Sequence, residues 1–252
     1  MKLILALLAL AGVAFAEPVD TRVVGGTTAA IEDYPFIGSV QLLHDEVWWY
    51  HACGGTLLTR VIVLTTARYL WAGPPADWRV RLGARTASSG GSLHPVSEIV
   101  IHPEYHSNFY NDLAIIRLAI PAVYSNTVQR AGIAGPSYIL PEGTPVHAAG
   151  WGSGFFRPAN ELLRRVDMNI INHDFCTAQY AALPSWPNVT ERMICAGIDG
   201  RSTCDVDAGG PVIHNRDVVV GVIGFSYSCG HPDYPAVHAR VSDYASWIGS
   251  FS

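Results

Sequence analysis

Short apolar runs rich in Val, Ile and Leu recur along this chain, and each is broken after a few residues by Gly, Pro, Ser or Asn. They occupy residues 36–43, 56–65, 78–82, 96–101 and 113–118, then 145–150, 162–171, 212–213, 218–225 and 236–241. Runs this short, with turn formers between them, predict an all-β barrel or sandwich. The end of the chain differs. Tyr244, Trp247, Ile248 and Phe251 recur at helical spacing and predict one amphipathic helix over 242–251, begun by Ser242 or Asp243. Turn formers concentrate in 121–136, which marks a boundary between two β units. With 252 residues, 49% hydrophobic and 15% charged, the chain can bury a full core, in one large β unit or two smaller ones.

The N-terminus reads as a secretory leader. Lys2 precedes an apolar run over 3–15, too short to span a bilayer comfortably, and Ala14-Phe15-Ala16 offers a small-x-small cleavage site. The expected division is a leader over 1–16, a short activation peptide over 17–22 and one domain over 23–252. Secretion to an oxidising, extracellular setting follows as an expectation. Net charge is −5 and no Lys/Arg run stands out, so neither nucleic acid nor an anionic membrane is an expected partner. Five cysteines leave at least one without a mate inside the chain.

Six motifs, in order, carry a resemblance. They are Arg22-Val23-Val24-Gly25-Gly26, Cys53-Gly54-Gly55-Thr56-Leu57, Asn111-Asp112-Leu113-Ala114-Ile115, Gly150-Trp151-Gly152, Cys204-Asp205-Val206-Asp207-Ala208-Gly209-Gly210-Pro211, and the block from Pro232 to Ile248. Together they resemble the chymotrypsin/trypsin-like serine protease family over residues 23–252. The resemblance implies two antiparallel six-stranded β-barrels with a C-terminal helix and a site between them. The first barrel is expected over about 23–130 and the second over about 131–252.

Acyl transfer in that family needs a nucleophile, a base, an acid that orients the base, and oxyanion donors. The nucleophile position holds Ala208, a methyl group. The base position, in Thr65-Thr66-Ala67-Arg68-Tyr69, holds Arg68, whose guanidinium keeps its proton. Asp112 is retained and is expected to pair with Arg68. The oxyanion glycine is replaced by Val206, which leaves Val206 and Ala208 at the oxyanion position. A supporting serine is replaced by Gly224. Ser202 is placed at the floor of the specificity pocket, with Ser226 and Ala236 on its walls, so no carboxylate is present for Lys or Arg. Arg22, Val23 and Asp207 match the family's activation switch, in which a new amine pairs with the aspartate.

These changes lead to an expectation of no catalysis. The chain is read as a secreted, monomeric serine protease homologue that acts by binding proteases, their inhibitors or protein substrates. A weak hydrolase with altered residues is the alternative, and a bulk extracellular protein without a specific partner is a second. The resemblance also implies the pairs Cys176–Cys195 and Cys204–Cys229 and a free thiol at Cys53, since Tyr69 stands where its mate would be. Asn188-Val189-Thr190 is a glycosylation sequon. No cofactor or metal is expected, and residues 83–95, which match a calcium loop in some relatives, contain no Asp or Glu. Trp48-Trp49-Tyr50 reads either as a binding loop or as loop packing.

Overall fold

The computed structural model describes residues 25–107, 109–152, 162–198, 200–204 and 207–251. The expected leader, activation peptide, Arg22, Val23 and Val206 lie outside the described residues.

The first strand, β1 (Thr27–Thr28), does not join the barrel that follows it in sequence. That barrel is built from β2 (Ile37–His44), β3 (Trp48–Leu57), β4 (Ile62–Thr65), β5 (Trp78–Leu82), β6 (Ser92–Ile101) and β7 (Ala114–Leu118). It closes in the order β2-β3-β4-β7-β6-β5. The run expected over 56–65 is a hairpin rather than one strand. Thr59 turns the chain by accepting the Ile62 N–H on its hydroxyl at 3.1 Å, a local side-chain bond that competes with strand continuation. Val40, Leu57, Val63, Trp78, Val80 and Ile116 point inward and fill this barrel. Alternation along each pleated strand puts them there.

After β8 (Gly132–Ile133), the second barrel comprises β9 (Pro145–Gly150), β10 (Arg164–Ile170), β11 (Met193–Gly197), β12 (Pro211–His214), β13 (Val218–Phe225) and β14 (Ala236–Arg240). Its ring runs β10-β11-β14-β13-β12-β9 and closes through the β9–β10 ladder. β1 adds to the outer edge of β10, and β8 pairs in parallel with β13. The architecture is thus two closed six-stranded antiparallel barrels, as expected.

Among the described residues, two α-helices accompany them. The first, α1 (His173–Ala181), has no counterpart in the sequence reading. Its only buried residues are Cys176 and Tyr180, too few for a clear apolar stripe. Its start is nonetheless written in the chain, since Asn172 caps it by accepting the Phe175 N–H at 3.0 Å. The second, α2 (Val241–Gly249), is the expected C-terminal helix. Arg240, rather than Ser242 or Asp243, stands at its cap, and no side chain bonds there.

The barrels meet where glycine permits close approach. A Cβ on Gly54 of β3 would lie 2.7 Å from Gly210 Cα, so only glycine fits at this position. The Gly54 N–H donates to the Ala208 carbonyl at 2.9 Å. This contact seats the loop after β11 against the first barrel and fixes where the cleft lies.

Candidate active site

Asp112 sits just before β7 and is buried. Its Oδ1 accepts the backbone N–H groups of Ala67 at 2.8 Å and Arg68 at 2.9 Å. Its Oδ2 accepts the Thr66 hydroxyl at 2.6 Å. Arg68 Nε lies 3.6 Å from Oδ2, at ion-pair rather than hydrogen-bond distance. The Arg68 guanidinium instead donates Nη2–H to the Gly224 carbonyl and lies over the Phe109 ring at 4.9 Å and the Tyr69 ring at 5.3 Å. The sequence reading favours an Arg68–Asp112 pair and misses Thr66 and Phe109. Thr66 could have been found, because it precedes the base position by two residues in the same turn.

This geometry sets the order of two stability losses. Asp112→Ala strands three donors and the guanidinium, and should lower unfolding free energy by about 3 kcal/mol in urea titration. Arg68→Ala leaves the carboxylate three donors, and should cost about 1–2 kcal/mol in the same assay.

Ala208 is completely buried, and its methyl group is the only side-chain atom at the nucleophile position. The turn that holds it is well built. Asp207 N–H donates to the Cys204 carbonyl at 2.8 Å, Cys204 N–H returns a bond to Asp207 Oδ2 at 3.1 Å, and Gly209 N–H donates to the Ile223 carbonyl at 3.0 Å. Gly209 has φ +81°, and a Cβ there would lie 2.5 Å from Thr65 Oγ1. Asp207 is buried beside Gly150, where an added Cβ would come within 3.0 Å of Oδ1. A retained loop with a methyl group in place of a hydroxyl can orient a carbonyl but cannot form an acyl intermediate.

Ser202, Ser226 and Ala236 are buried. Ser202 donates its hydroxyl to the Thr203 carbonyl at 2.8 Å and accepts the Gly230 N–H at 2.8 Å. Two disulfides brace the surroundings, Cys176–Cys195 and Cys204–Cys229. Asn188 is exposed, and its N–H donates to the Tyr110 hydroxyl at 3.3 Å. Trp48 and Tyr50 belong to β3 and pack with His44 at ring distances of 5.1 and 6.1 Å, while Arg79 stacks on Trp49 at 4.2 Å.

Cys53 is a buried thiol, 3.5 Å from Thr65 Oγ1. Burial pushes its pKa up to about 12, so almost no thiolate forms near neutral pH. A chromogenic thiol reagent at pH 8 should therefore find no reactive thiol in native protein and one after denaturation without reduction. A rapid reaction in the native state would contradict this burial.

The sequence model of the trypsin family matches residues 23–248. The chain is 41% identical to "Trypsin, alkaline C" of Manduca sexta, with all of both chains covered. It is 39% identical to "Trypsin, alkaline B" of the same species, covering 98% of each. It is also 36% identical to "Trypsin CFT-1" of Choristoneura fumiferana, again over 98% of each. These full-length matches overturn the expected role as a non-catalytic binder, because the relatives are named for the enzyme. The changes at positions 68 and 208 leave the family assignment intact. Motifs, two-barrel fold and full-length similarity agree, and the chain belongs to the trypsin family.

Proposed function

We propose that this chain is a secreted endopeptidase of the trypsin family with weak residual activity. The observation that carries this reading is its full-length similarity to named trypsins. The retained frame around Asp112 and Ala208 adds support. The leader-like start and the two disulfides support secretion.

The altered positions determine the mechanism. Ala208 offers no nucleophile, so water attacks the scissile carbonyl directly. The water oxygen bonds to the carbonyl carbon, the C–N bond breaks, and the amine leaves carrying a proton from that water. Arg68 stays protonated and takes no proton from the water. What the cleft supplies is orientation of the peptide and backbone polarity near Ala208. Family-type sites stripped of triad members keep about 10³–10⁴-fold acceleration over water from such terms. The test is product release from a broad peptide library by mature protein, read by mass spectrometry. Slow cleavage above a buffer blank is expected, and its absence over days would overturn the reading.

A further inference from the structure

His147, Asp167, Asn169, Arg201, His214 and Asn215 line a cavity of about 390 Å³ on the second barrel, and none of them belongs to the frame around Asp112 and Ala208. Strand β9 lies between β10 and β12, with His147 opposite Asp167 on one side and Ile213 on the other. Pleating sends His147, Asp167 and Asn169 to the same face of the sheet. His214 and Asn215 follow where β12 ends, and Arg201 comes from the loop after β11. The stem of Arg201 is packed in place, since a Cβ on Gly25 would run into Arg201 Cγ. The carboxylate in this lining is already engaged, as Asp167 Oδ1 accepts Nη2–H of Arg165. The donors are not. The side chains of His147, Asn169, Arg201 and Asn215 have no hydrogen-bond or ion-pair partner among the described residues. His214 engages Nδ1, which lies 2.7 Å from the Tyr138 hydroxyl.

We infer that this cavity is a binding site for a small sugar ester whose charged group is phosphate or sulfate. It does not depend on the hydrolase reading. Two guanidinium groups, Arg201 and Arg165, stand against the single carboxylate of Asp167. An oxyanion answers that surplus, and the planar fork of Arg201 matches two of its oxygens. A bare oxyanion leaves most of the space unfilled, since cavities of ~300–1,000 Å³ hold whole small molecules. The rest of the lining decides what fills it. Asn169 and Asn215 each carry a donor and an acceptor. Burial lowers the His147 pKa, so near neutral pH its ring keeps one N–H and one lone pair. Hydroxyl groups both donate and accept, and a sugar presents several of them. A metal ion is not the occupant this lining supports, because no group of three or more His, Cys, Asp or Glu among the described residues could hold one. A basic side chain would meet the unpaired Arg201 guanidinium.

The test titrates the mature chain, labelled with ¹⁵N-histidine, with glucose 6-phosphate, glucose 6-sulfate, glucose and inorganic phosphate, followed by ring resonances and calorimetry. At least one ester should bind saturably, shift the His147 and His214 resonances, and bind about tenfold or more tightly than glucose or inorganic phosphate. The tighter ester identifies the charged group. Arg201→Met keeps the stem over Gly25 while removing the charge, and should weaken ester binding about tenfold or more. Asn215→Gly suits the backbone there, at φ +58°, and should weaken binding severalfold. If Arg201→Met does not fold, the wild-type resonances and Asn215→Gly still decide the matter. No saturable shift with either ester, equal binding of inorganic phosphate alone, or unchanged affinity in both variants would overturn the inference.

Discussion

Ala208→Ser combined with Arg68→His and Val206→Gly is expected to raise kcat/KM for peptide cleavage by on the order of 10³-fold or more. The frame for this gain is already built. Asp112 receives the Ala67 and Arg68 N–H groups, so an imidazole at position 68 would start from the same backbone anchor. The Gly54–Ala208 bond and the Gly209 turn hold the nucleophile position against the first barrel. Ala208→Ser alone should give no measurable rise, because Arg68 cannot take the hydroxyl proton. Triad members act as a unit, and restoring one without the others recovers little. Strong turnover from the single change would refute the role assigned to Arg68.

Acid should destabilise the fold steeply before most carboxylates titrate. His51 and His238 are fully buried, and burial lowers their pKa values to about 4 and about 3. His51 Nδ1 lies 2.7 Å from Ser39 Oγ, and its ring packs on Trp151 at 5.7 Å. Both rings are neutral in the folded chain, while in the unfolded chain they protonate near ~6.5. Their contribution is therefore complete above that pH. It is lost as pH falls, at about 1.4 kcal/mol per unit for each ring, until the folded-state values are reached. Burial shifts His102 and His147 in the same direction. Urea unfolding at pH 7, 6, 5 and 4.5 should show this slope, and His51→Gln should reduce it. Stability that stays flat down to pH 5 would mean that these rings gain partners in solution.

An all-β chain with a boundary near 121–136 is legible in short apolar runs that end at turn formers, and the two six-stranded barrels are legible through the family resemblance of the six motifs. The hairpin at Thr59 is not, since residues 56–65 read as one apolar run until a hydroxyl bends it. Helix α1 hides behind a face with only Cys176 and Tyr180 buried. At the site, the residue types at 68, 112 and 208 are legible by position. What Asp112 touches is not, because backbone N–H groups of a turn and the Thr66 hydroxyl converge on it from 44 to 46 residues away. The functional class was misread for a related reason. The changes at Arg68, Val206, Ala208 and Gly224 describe the loss of chemical steps, whereas family membership is carried by similarity along the whole chain.

The most direct test of the account is peptide hydrolysis by the unmodified chain in the presence and absence of a serine-directed phosphonate, with intact-mass analysis of the protein. The account predicts slow cleavage at the same rate in both, and no adduct, because water rather than a side chain attacks the carbonyl. Cleavage abolished by the phosphonate with an adduct on a serine, or no cleavage above the buffer blank, would contradict it.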